Sequence, residues 1–260
     1  MIADLHNHTV LCNHAEGSMK EYIEKAIEKK VEYFGFSDHA PMDFDKKYRM
    51  DFKDMKKYEK DVYSLKETYK EDKIEILLGY EVDFLPGFMD ERVLKADVDY
   101  LIGSVHFLNG WGFDNPEFIG EYKNKDIDKI WEDYFEAITK LAKSGLFDIV
   151  GHIDLIKVFN FLPKKDIKLI AKDAIKAIKK ADMVIELNTA GYKKPVNELY
   201  PSKDILELIK EYDIPITFGS DAHKPDEICK YEDKLLEAIK EFSFEKCAVF
   251  NKRDRKLIKF

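Results

Sequence analysis

Two histidines alternate in the first apolar run of the chain, His6 and His8 within the segment DLHNHT at positions 4–9. Alternate side chains of an extended strand point to the same face, so these two imidazoles project together. Imidazole is a common metal ligand, although histidine pairs also occur as hydrogen-bonding surface. The spacing therefore predicts part of a metal site, which the remaining histidines would have to complete.

The other five histidines also lie at the end of a predicted strand or in the loop after one, and two carboxylates occupy similar positions. The nine candidate ligands are His6, His8, His14, His39, Glu81, His106, His152, Asp221 and His223. A single such histidine is more often a hydrogen-bonded core residue. Seven at one face of a parallel barrel, where the active sites of such barrels lie, favour a metal centre instead.

Nitrogen and carboxylate ligands without thiolate favour Zn, Mn or Fe over Ca or Mg. Because these ligands are too many for one tetrahedral ion, we expect two or three divalent metal ions. Three such ions would carry more positive charge than Glu81 and Asp221 can balance. Hydroxide and a phosphate dianion would offset most of the difference, so the charge balance favours phosphate ester chemistry.

The elements that must position these ligands are seven short apolar runs, most of them separated by helical patterns. The runs are Ile2–Thr9, Tyr33–His39, Glu75–Phe84, Tyr100–Phe107, Phe147–Ile153, Met183–Thr189 and Pro215–His223. Ser18 and Glu21 form a capping box before one helix, and Ser202 is a candidate cap of a later one. Strands that alternate with helices predict an α/β fold with a parallel barrel of seven strands, and a chain of 260 residues fits one such domain, residues 1–260.

Two long aromatic loops, Ala40–Asp51 and Leu108–Lys125, are expected to cover the site. Tyr48, Trp111 and Phe113 in these loops offer surfaces for ring stacking or a cation–π contact, or are loop core. The C-terminal stretch Phe242–Phe260 resembles a short strand with a basic end and suggests no role.

A net charge of −8 argues against nucleic acid or an anionic membrane as the partner, which leaves a small molecule. Cys12, Cys229 and Cys247 show no C-x-x-C spacing, which suits a reducing cytoplasm. Cys12 could ligate a metal, but a small loop filler is the better interpretation. The first predicted strand begins at residue 2, and no apolar run approaches membrane-spanning length, so we expect a cytoplasmic protein without a signal peptide.

The segments DLHNHT, FSDHAP, GHIDLI and GSDAH resemble the four motifs of the polymerase and histidinol phosphatase (PHP) superfamily. GYEVDFLPG, DYLIGSVHF, GWGFD and ELNTAGYKKPVNELYPS resemble its stand-alone histidinol-phosphatase branch in particular. This resemblance covers nearly the whole chain and implies a distorted seven-stranded (β/α)7 barrel of the TIM-like kind.

The resemblance also implies how the ligands divide among three ions. One ion would be held by His6, His8, Glu81 and Asp221; a second by Glu81 as a bridge with His106 and His152; and a third by His14, His39 and His223. Five nearby polar residues could fix the imidazole tautomers, or any of them could instead be a helix cap or a solvated loop carboxylate: Asp4, Asp38, Asp83, Asp154 and Asn188.

The family tends to carry an arginine near the Lys-Pro pair, where this chain has Lys193 and Lys194. Lysine holds phosphate only as a point charge, so Arg49 is the best arginine candidate for a phosphate or carboxylate fork, with a surface arginine as an equal alternative. The predicted substrate-binding residues are thus Arg49, His106, Lys193 and Lys194. The predicted catalytic residues are Glu81, Asp221 and His223.

The leading hypothesis is a phosphomonoesterase in which a metal-bridging hydroxide attacks phosphorus, since metal binding lowers the pKa of water from 15.7 to about 7. The resemblance implies hydrolysis of L-histidinol phosphate in histidine biosynthesis. Three alternatives stay open: a phosphatase acting on phosphotyrosine or a nucleotide, an amidohydrolase-type C–N hydrolase, and a metal-binding accessory domain without activity. The general acid and the oligomeric state are not predicted.

Overall fold

The computed structural model of the protein describes residues 1–260. Its main sheet contains seven parallel strands in the order β1-β2-β3-β4-β7-β8-β9. The eleven strands are β1 (Ala3–Asp4), β2 (Tyr33–Phe36), β3 (Glu75–Asp83), β4 (Tyr100–Ser104), β5 (Phe107–Leu108), β6 (Trp111–Gly112), β7 (Ile149–Val150), β8 (Val184–Asn188), β9 (Ile216–Gly219), β10 (Lys246–Asn251) and β11 (Asp254–Lys259).

The first and last strands of the main sheet meet, so that the sheet is nearly a closed barrel. The amide of Leu5 donates to the carbonyl oxygen of Phe218 at 2.9 Å, and the amide of His8 donates to that of Ala222 at 2.9 Å. Each of the seven predicted runs contains one barrel strand, in the predicted order. The predicted α/β class and seven-stranded TIM-like barrel are therefore confirmed.

Seven α-helices follow or separate the strands, and their apolar faces pack against the barrel. They are α1 (Met19–Glu28), α2 (Met55–Thr68), α3 (Glu91–Leu94), α4 (Ile127–Ser144), α5 (Ile167–Lys180), α6 (Lys203–Glu211) and α7 (Glu232–Glu241). The capping box is present: Ser18 Oγ accepts from the Glu21 amide, and Glu21 accepts from the Ser18 amide at 2.6 Å. Ser202 occupies the cap position of α6, but its side chain makes no capping bond. No helix of the chain is long and apolar enough to cross a membrane.

The C-terminal stretch forms an antiparallel hairpin, β10 with β11, where the sequence predicted only one short strand. Its two-residue turn holds Lys252 and Arg253 at φ 51° and 69°, a left-handed geometry that is normally signalled by Asn-Gly or Asp-Gly. The hairpin covers the end of the barrel where the strands begin. Thr217 Oγ1 donates to the carbonyl oxygen of Ala248 at 2.9 Å, and the Arg253 amide donates to that of Asp99 at 2.9 Å.

Candidate metal centre

All seven histidines converge at the end of the barrel where the strands finish. The ring centroids of His8 and His223 lie 4.1 Å apart, those of His6 and His152 5.7 Å apart, and those of His106 and His152 5.0 Å apart. The ring of His14, which comes from the loop after β1, lies 4.6 Å from that of His223. The strand ends thus bring the predicted ligands into one cluster.

Glu81, the carboxylate predicted as a bridge, lies at the middle of this cluster and is 1% exposed. Its Oε1 atom lies 2.9 Å from Nε2 of His152 and 3.7 Å from Nε2 of His106. Its Oε2 atom lies 2.8 Å from Nδ1 of His39 and 3.4 Å from Nε2 of His6. The two oxygens therefore face two different groups of imidazoles, as a bridging carboxylate must.

Asp221 provides the second carboxylate. Its Oδ1 atom lies 3.1 Å from Nε2 of His8, 3.5 Å from Nδ1 of His223 and 4.0 Å from Nε2 of His6. Asp221 and His152 both have left-handed backbone conformations, with φ of 50° and 23°. Backbone strain of this kind in residues other than glycine clusters at functional sites, where the surrounding structure holds it in place.

Several potential ligand atoms in the cluster are buried without a hydrogen-bond partner, as metal ligands would be. His6 Nε2, Glu81 Oε2 and His152 Nδ1 are buried and make no hydrogen bond of normal geometry. Buried polar atoms in proteins almost always have a partner, and these are the nitrogen and oxygen donors that Zn, Mn and Fe prefer. The residues therefore fit divalent metal ions.

Several triads place their potential ligand atoms within 4.8 Å of one another, including His6 with His8 and Glu81, His8 with His39 and His223, and His6 with His152 and Asp221. A further triad joins His14 and His223 to Cys12, which the sequence analysis regarded as a loop filler. The thiol of Cys12 is buried and donates to the carbonyl oxygen of Thr9 at 3.1 Å.

Comparisons with known proteins identify the family. The PHP domain model matches residues 4–190, nearly three quarters of the chain and all but two of the nine ligands. The chain belongs to the PHP domain family. The probable histidinol-phosphatase of Deinococcus radiodurans is 37% identical over 92% of this chain and 92% of its own length. The histidinol-phosphatase of Bacillus subtilis is 28% identical over 90% of this chain and 98% of its own length.

Solved structures have the same fold as this PHP domain. The hisK protein of Listeria monocytogenes superposes with a TM-score of 0.80 at 26% identity, covering 89% of this chain and 99% of that one. Histidinol phosphate phosphatase from Lactococcus lactis, solved with Zn, L-histidinol and phosphate, gives a TM-score of 0.76 at 20% identity and covers 98% of both chains.

Carboxylates behind the histidines of this PHP domain set their orientation. Glu186 Oε1 lies 2.7 Å from Nδ1 of His6, and Asp83 Oδ1 lies 2.6 Å from Nδ1 of His106. Asp38 Oδ1 lies 3.4 Å from Nδ1 of His8. A carboxylate that accepts the N–H of one ring nitrogen fixes the tautomer and leaves the other nitrogen free to ligate.

Of the five polar residues proposed to fix imidazole tautomers, Asp83 and Asp38 face the rings of His106 and His8, whereas the other three bind different groups. Asp4 accepts from the amide and the hydroxyl of Ser220, and so joins β1 to β9. Asp154 accepts from the Ser202 amide, and Asn188 accepts from the Ala190 amide. Glu186 was missed. Its signal is a lone carboxylate inside the apolar segment Val184–Asn188, all of which is buried.

Charge in the cluster is strongly coupled. Burial opposes the ionisation of Glu81, but His39 and His6 outweigh it and hold the pKa of Glu81 well below its ordinary value. Burial lowers the pKa of His39 to about 4, against the attraction of Glu81. For His106 burial again favours the neutral ring, but Asp83 and Glu81 raise its pKa to about 10. The centre thus holds ionised carboxylates beside both neutral and protonated imidazoles.

A cavity of about 450 Å³ opens at the predicted metal ligands, several of which line it. As expected, both long loops line it, the first through Tyr48 and the second through Asp114. Trp111 and Phe113 do not line it. They are loop core, since Trp111 packs on Tyr122 with ring centroids 4.8 Å apart. A larger groove, about 890 Å³, lies at the opposite end of the barrel beside the first residues of β2 and β3 and contains no histidine.

The four predicted substrate-binding residues all line the 450 Å³ cavity at the histidine cluster, but two of them already form ion pairs with carboxylates of the protein. Arg49 is 3% exposed, which excludes a surface arginine, and it donates to Asp83 at 2.8 Å. Lys193 donates to Glu227 at 2.9 Å. Lys194 forms no ion pair with the protein and is exposed. His106 faces Glu81 and so lies among the predicted metal ligands.

Proposed function

We propose that this chain hydrolyses L-histidinol phosphate to L-histidinol and phosphate, as a step of histidine biosynthesis. The observation that carries the proposal is the convergence of the nine predicted nitrogen and oxygen ligands at the mouth of a PHP barrel, in a chain that spans 92% of a relative named as a probable histidinol-phosphatase. The Lactococcus lactis structure with Zn, L-histidinol and phosphate supports the choice of substrate.

The nine predicted ligands would hold two or three divalent ions, for which Zn, Mn and Fe are the candidates. When bound, such ions activate water at neutral pH and stabilise the charge that develops on phosphate oxygens. Glu81 and Asp221 would supply the negative charge that offsets the repulsion between such ions. Neutral His223, whose pKa is lowered by burial and by neighbouring His8, offers a lone pair rather than a proton.

The side chains around the centre orient the predicted ligands and bind the substrate. Glu186 and Asp83 hold the rings of His6 and His106 so that their Nε2 atoms face Glu81. Lys193 and Lys194 place positive charge at the cavity for the phosphate group. Arg49 acts through Asp83, because Nη1 of its guanidinium is bound there at 2.8 Å.

We further propose that residues 1–260 work as one domain, which the contacts of the β10–β11 hairpin with the barrel support. A cytoplasmic location is supported by three free cysteines that form no disulfide. A net charge of −8 disfavours nucleic acid and anionic membranes as partners and favours a small-molecule substrate.

The test is turnover of a phosphomonoester panel by protein of determined metal content. The panel is L-histidinol phosphate, phosphotyrosine, a nucleoside monophosphate and glycerol phosphate. Recognition of a polar substrate should give a preference in kcat/KM of at least ~100-fold for L-histidinol phosphate. Equal rates across the panel would contradict the proposed substrate and leave a general PHP phosphoesterase. Hydrolysis of an amide but of no phosphate ester would favour the amidohydrolase alternative.

A further inference from the structure

Six carboxylates line the cavity beside the metal ligands, and five of them have a cationic or imidazole nitrogen within 4.0 Å. These five are Asp45, Glu81, Asp83, Asp221 and Glu227. The sixth, Asp114, has none. No hydrogen bond and no ion pair joins its carboxylate to another group of the protein, and the carboxylate lines the cavity.

The position of Asp114 in the fold is fixed on both sides. The ring of Phe113 is fully buried and packs against that of Tyr134 with centroids 5.5 Å apart, while the Phe113 carbonyl oxygen accepts from the hydroxyl of Tyr122 at 3.2 Å. On the other side, Asn115 Oδ1 accepts from the amide of Glu117 at 2.9 Å and caps the following turn. The Asp114 backbone is therefore preorganised beside the cavity.

An unpaired carboxylate in such a place is costly to the folded protein. Burial raises the pKa of Asp114, and the attraction of His106 and His152 offsets this only in part. Of the three cationic side chains that line the cavity, Arg49 is bound to Asp83 and Lys193 to Glu227, while Lys194 is exposed and does not pair with Asp114. A group that costs stability and faces a ligand cavity is a candidate for ligand binding.

We infer that Asp114 binds the ammonium group of the substrate and thereby selects phosphomonoesters that carry an aliphatic amine. The inference rests on the proposed function and assigns one contact within it. The protein leaves this carboxylate without a cation, and the ligand supplies one. An aliphatic ammonium is favoured over imidazole because it is charged at neutral pH, whereas imidazole, with a pKa near 6.5, is mostly neutral.

The experiment compares wild type with Asp114→Asn, which keeps the shape and removes the charge, at matched metal content. Three esters are used: L-histidinol phosphate, 3-(imidazol-4-yl)propyl phosphate, which lacks the amine, and 2-aminopropyl phosphate, which lacks the imidazole. Wild type should prefer the first over the second by about 10- to 100-fold in kcat/KM, the range of one hydrogen bond to a charged group. In Asp114→Asn this preference should fall to within about threefold, mainly through KM.

The matched control is Glu117→Gln, which removes a negative charge three residues along the same loop, outside the cavity and facing Lys47. It should retain the preference for the amine. Calorimetry without turnover gives a second measurement: Asp114→Asn should bind L-histidinol about 10- to 100-fold more weakly, while inhibition by inorganic phosphate is kept.

Three outcomes would overturn the inference. The preference for the amine could survive in Asp114→Asn, or the discrimination against the ester lacking imidazole could be lost instead. In the third outcome, Asp114→Asn loses kcat equally for alkyl esters with and without the amine but keeps the wild-type kcat for p-nitrophenyl phosphate. That result would make Asp114 the proton donor to the leaving group.

Failure of the proposed function would give a different result, because the wild type would then not hydrolyse L-histidinol phosphate at all. In that case, a comparison of the rates for phosphoethanolamine and ethyl phosphate would test the role of Asp114 alone.

Discussion

Glu186 supports two strand ends at once, both of which carry a predicted ligand. Its Oε1 atom lies 2.7 Å from Nδ1 of His6, and its Oε2 atom accepts from the backbone amide of His152 at 2.8 Å. His6 follows β1 and His152 follows β7, so one buried carboxylate of β8 sets the position of two imidazoles across the barrel. Such support is as much part of a metal site as the ligands themselves.

Glu186→Gln should therefore weaken metal binding by about 10- to 100-fold, because the His6 ring loses its charged acceptor. Competition with a chelator at fixed pH measures the affinity. Glu237→Gln, on the exposed face of α7, is the matched control and should bind metal as wild type does. Unchanged affinity in Glu186→Gln would mean that the 2.7 Å contact with His6 has no part in holding metal.

The contact between Glu186 and His6 requires glycine at position 219. A Cβ atom at residue 219 would overlap Glu186 Oε1 and lie 2.6 Å from Cβ of His6. Gly219→Ala should lower the free energy of unfolding by about 1–3 kcal/mol, as overpacking usually does, and should reduce the metal content. Gly120→Ala, where nothing lies within 4 Å of the new atom, is the control. Thermal denaturation and metal analysis of both variants decide the point.

The sequence predicted the barrel because its apolar residues, which the chain must bury, recur with a period of two in the strands and of 3.6 in the helices. It predicted that the candidate ligands would cluster because histidines such as His39 and His152 end apolar runs, and parallel strands bring such ends together. Both features depend on local order along the chain.

What the sequence did not predict depends on contacts between distant residues. Glu186 looks like an error in an apolar strand until His6, 180 positions away, is placed beside it. Arg49 looks like a free fork until its donation to Asp83 is known. Asp114 is one of many loop carboxylates in the sequence. What distinguishes it in the structure is that the other five carboxylates of the cavity have a cationic or imidazole partner and Asp114 has none.

Arg49 is predicted to position His106 through Asp83 rather than to hold phosphate. Arg49→Lys keeps the charge and loses the planar fork, so it should lower kcat by about tenfold and weaken the metal held by His106. The readouts are kcat, metal content and the inhibition constant of inorganic phosphate. A large rise in that constant at full metal content would indicate direct phosphate binding instead.

Glu81→Ala should abolish activity and lower the number of bound ions, because the two groups of imidazoles that face its two oxygens lose the shared negative charge. Metal analysis after dialysis and a phosphatase assay measure the two effects. Glu59→Ala, a carboxylate on the outer helix α2, should change neither. A variant at residue 81 that kept full metal content and normal turnover would show that Glu81 is not a bridge.

Metal binding should release protons at neutral pH. Burial favours neutral imidazole, but the neighbouring carboxylates Asp221 and Asp38 raise the pKa of His8 to about 9, and Asp83 with Glu81 raises that of His106 to about 10. Both rings are therefore protonated at pH 7 until a metal displaces the proton, and metal affinity should rise with pH up to about 10.

The same pKa shifts determine whether the metal-free protein gains or loses stability as the pH rises. A histidine whose pKa is raised by folding contributes stability that is complete below its unfolded value, about 6.5, and that is lost as the pH rises through the folded value. Metal-free protein should therefore lose stability between about pH 6.5 and 10, where metal-bound protein gains it. Calorimetric metal titration at pH 7, in buffers of different ionisation enthalpy, counts the protons released. A titration whose heat does not depend on the buffer would contradict the assigned charge of His8 and His106.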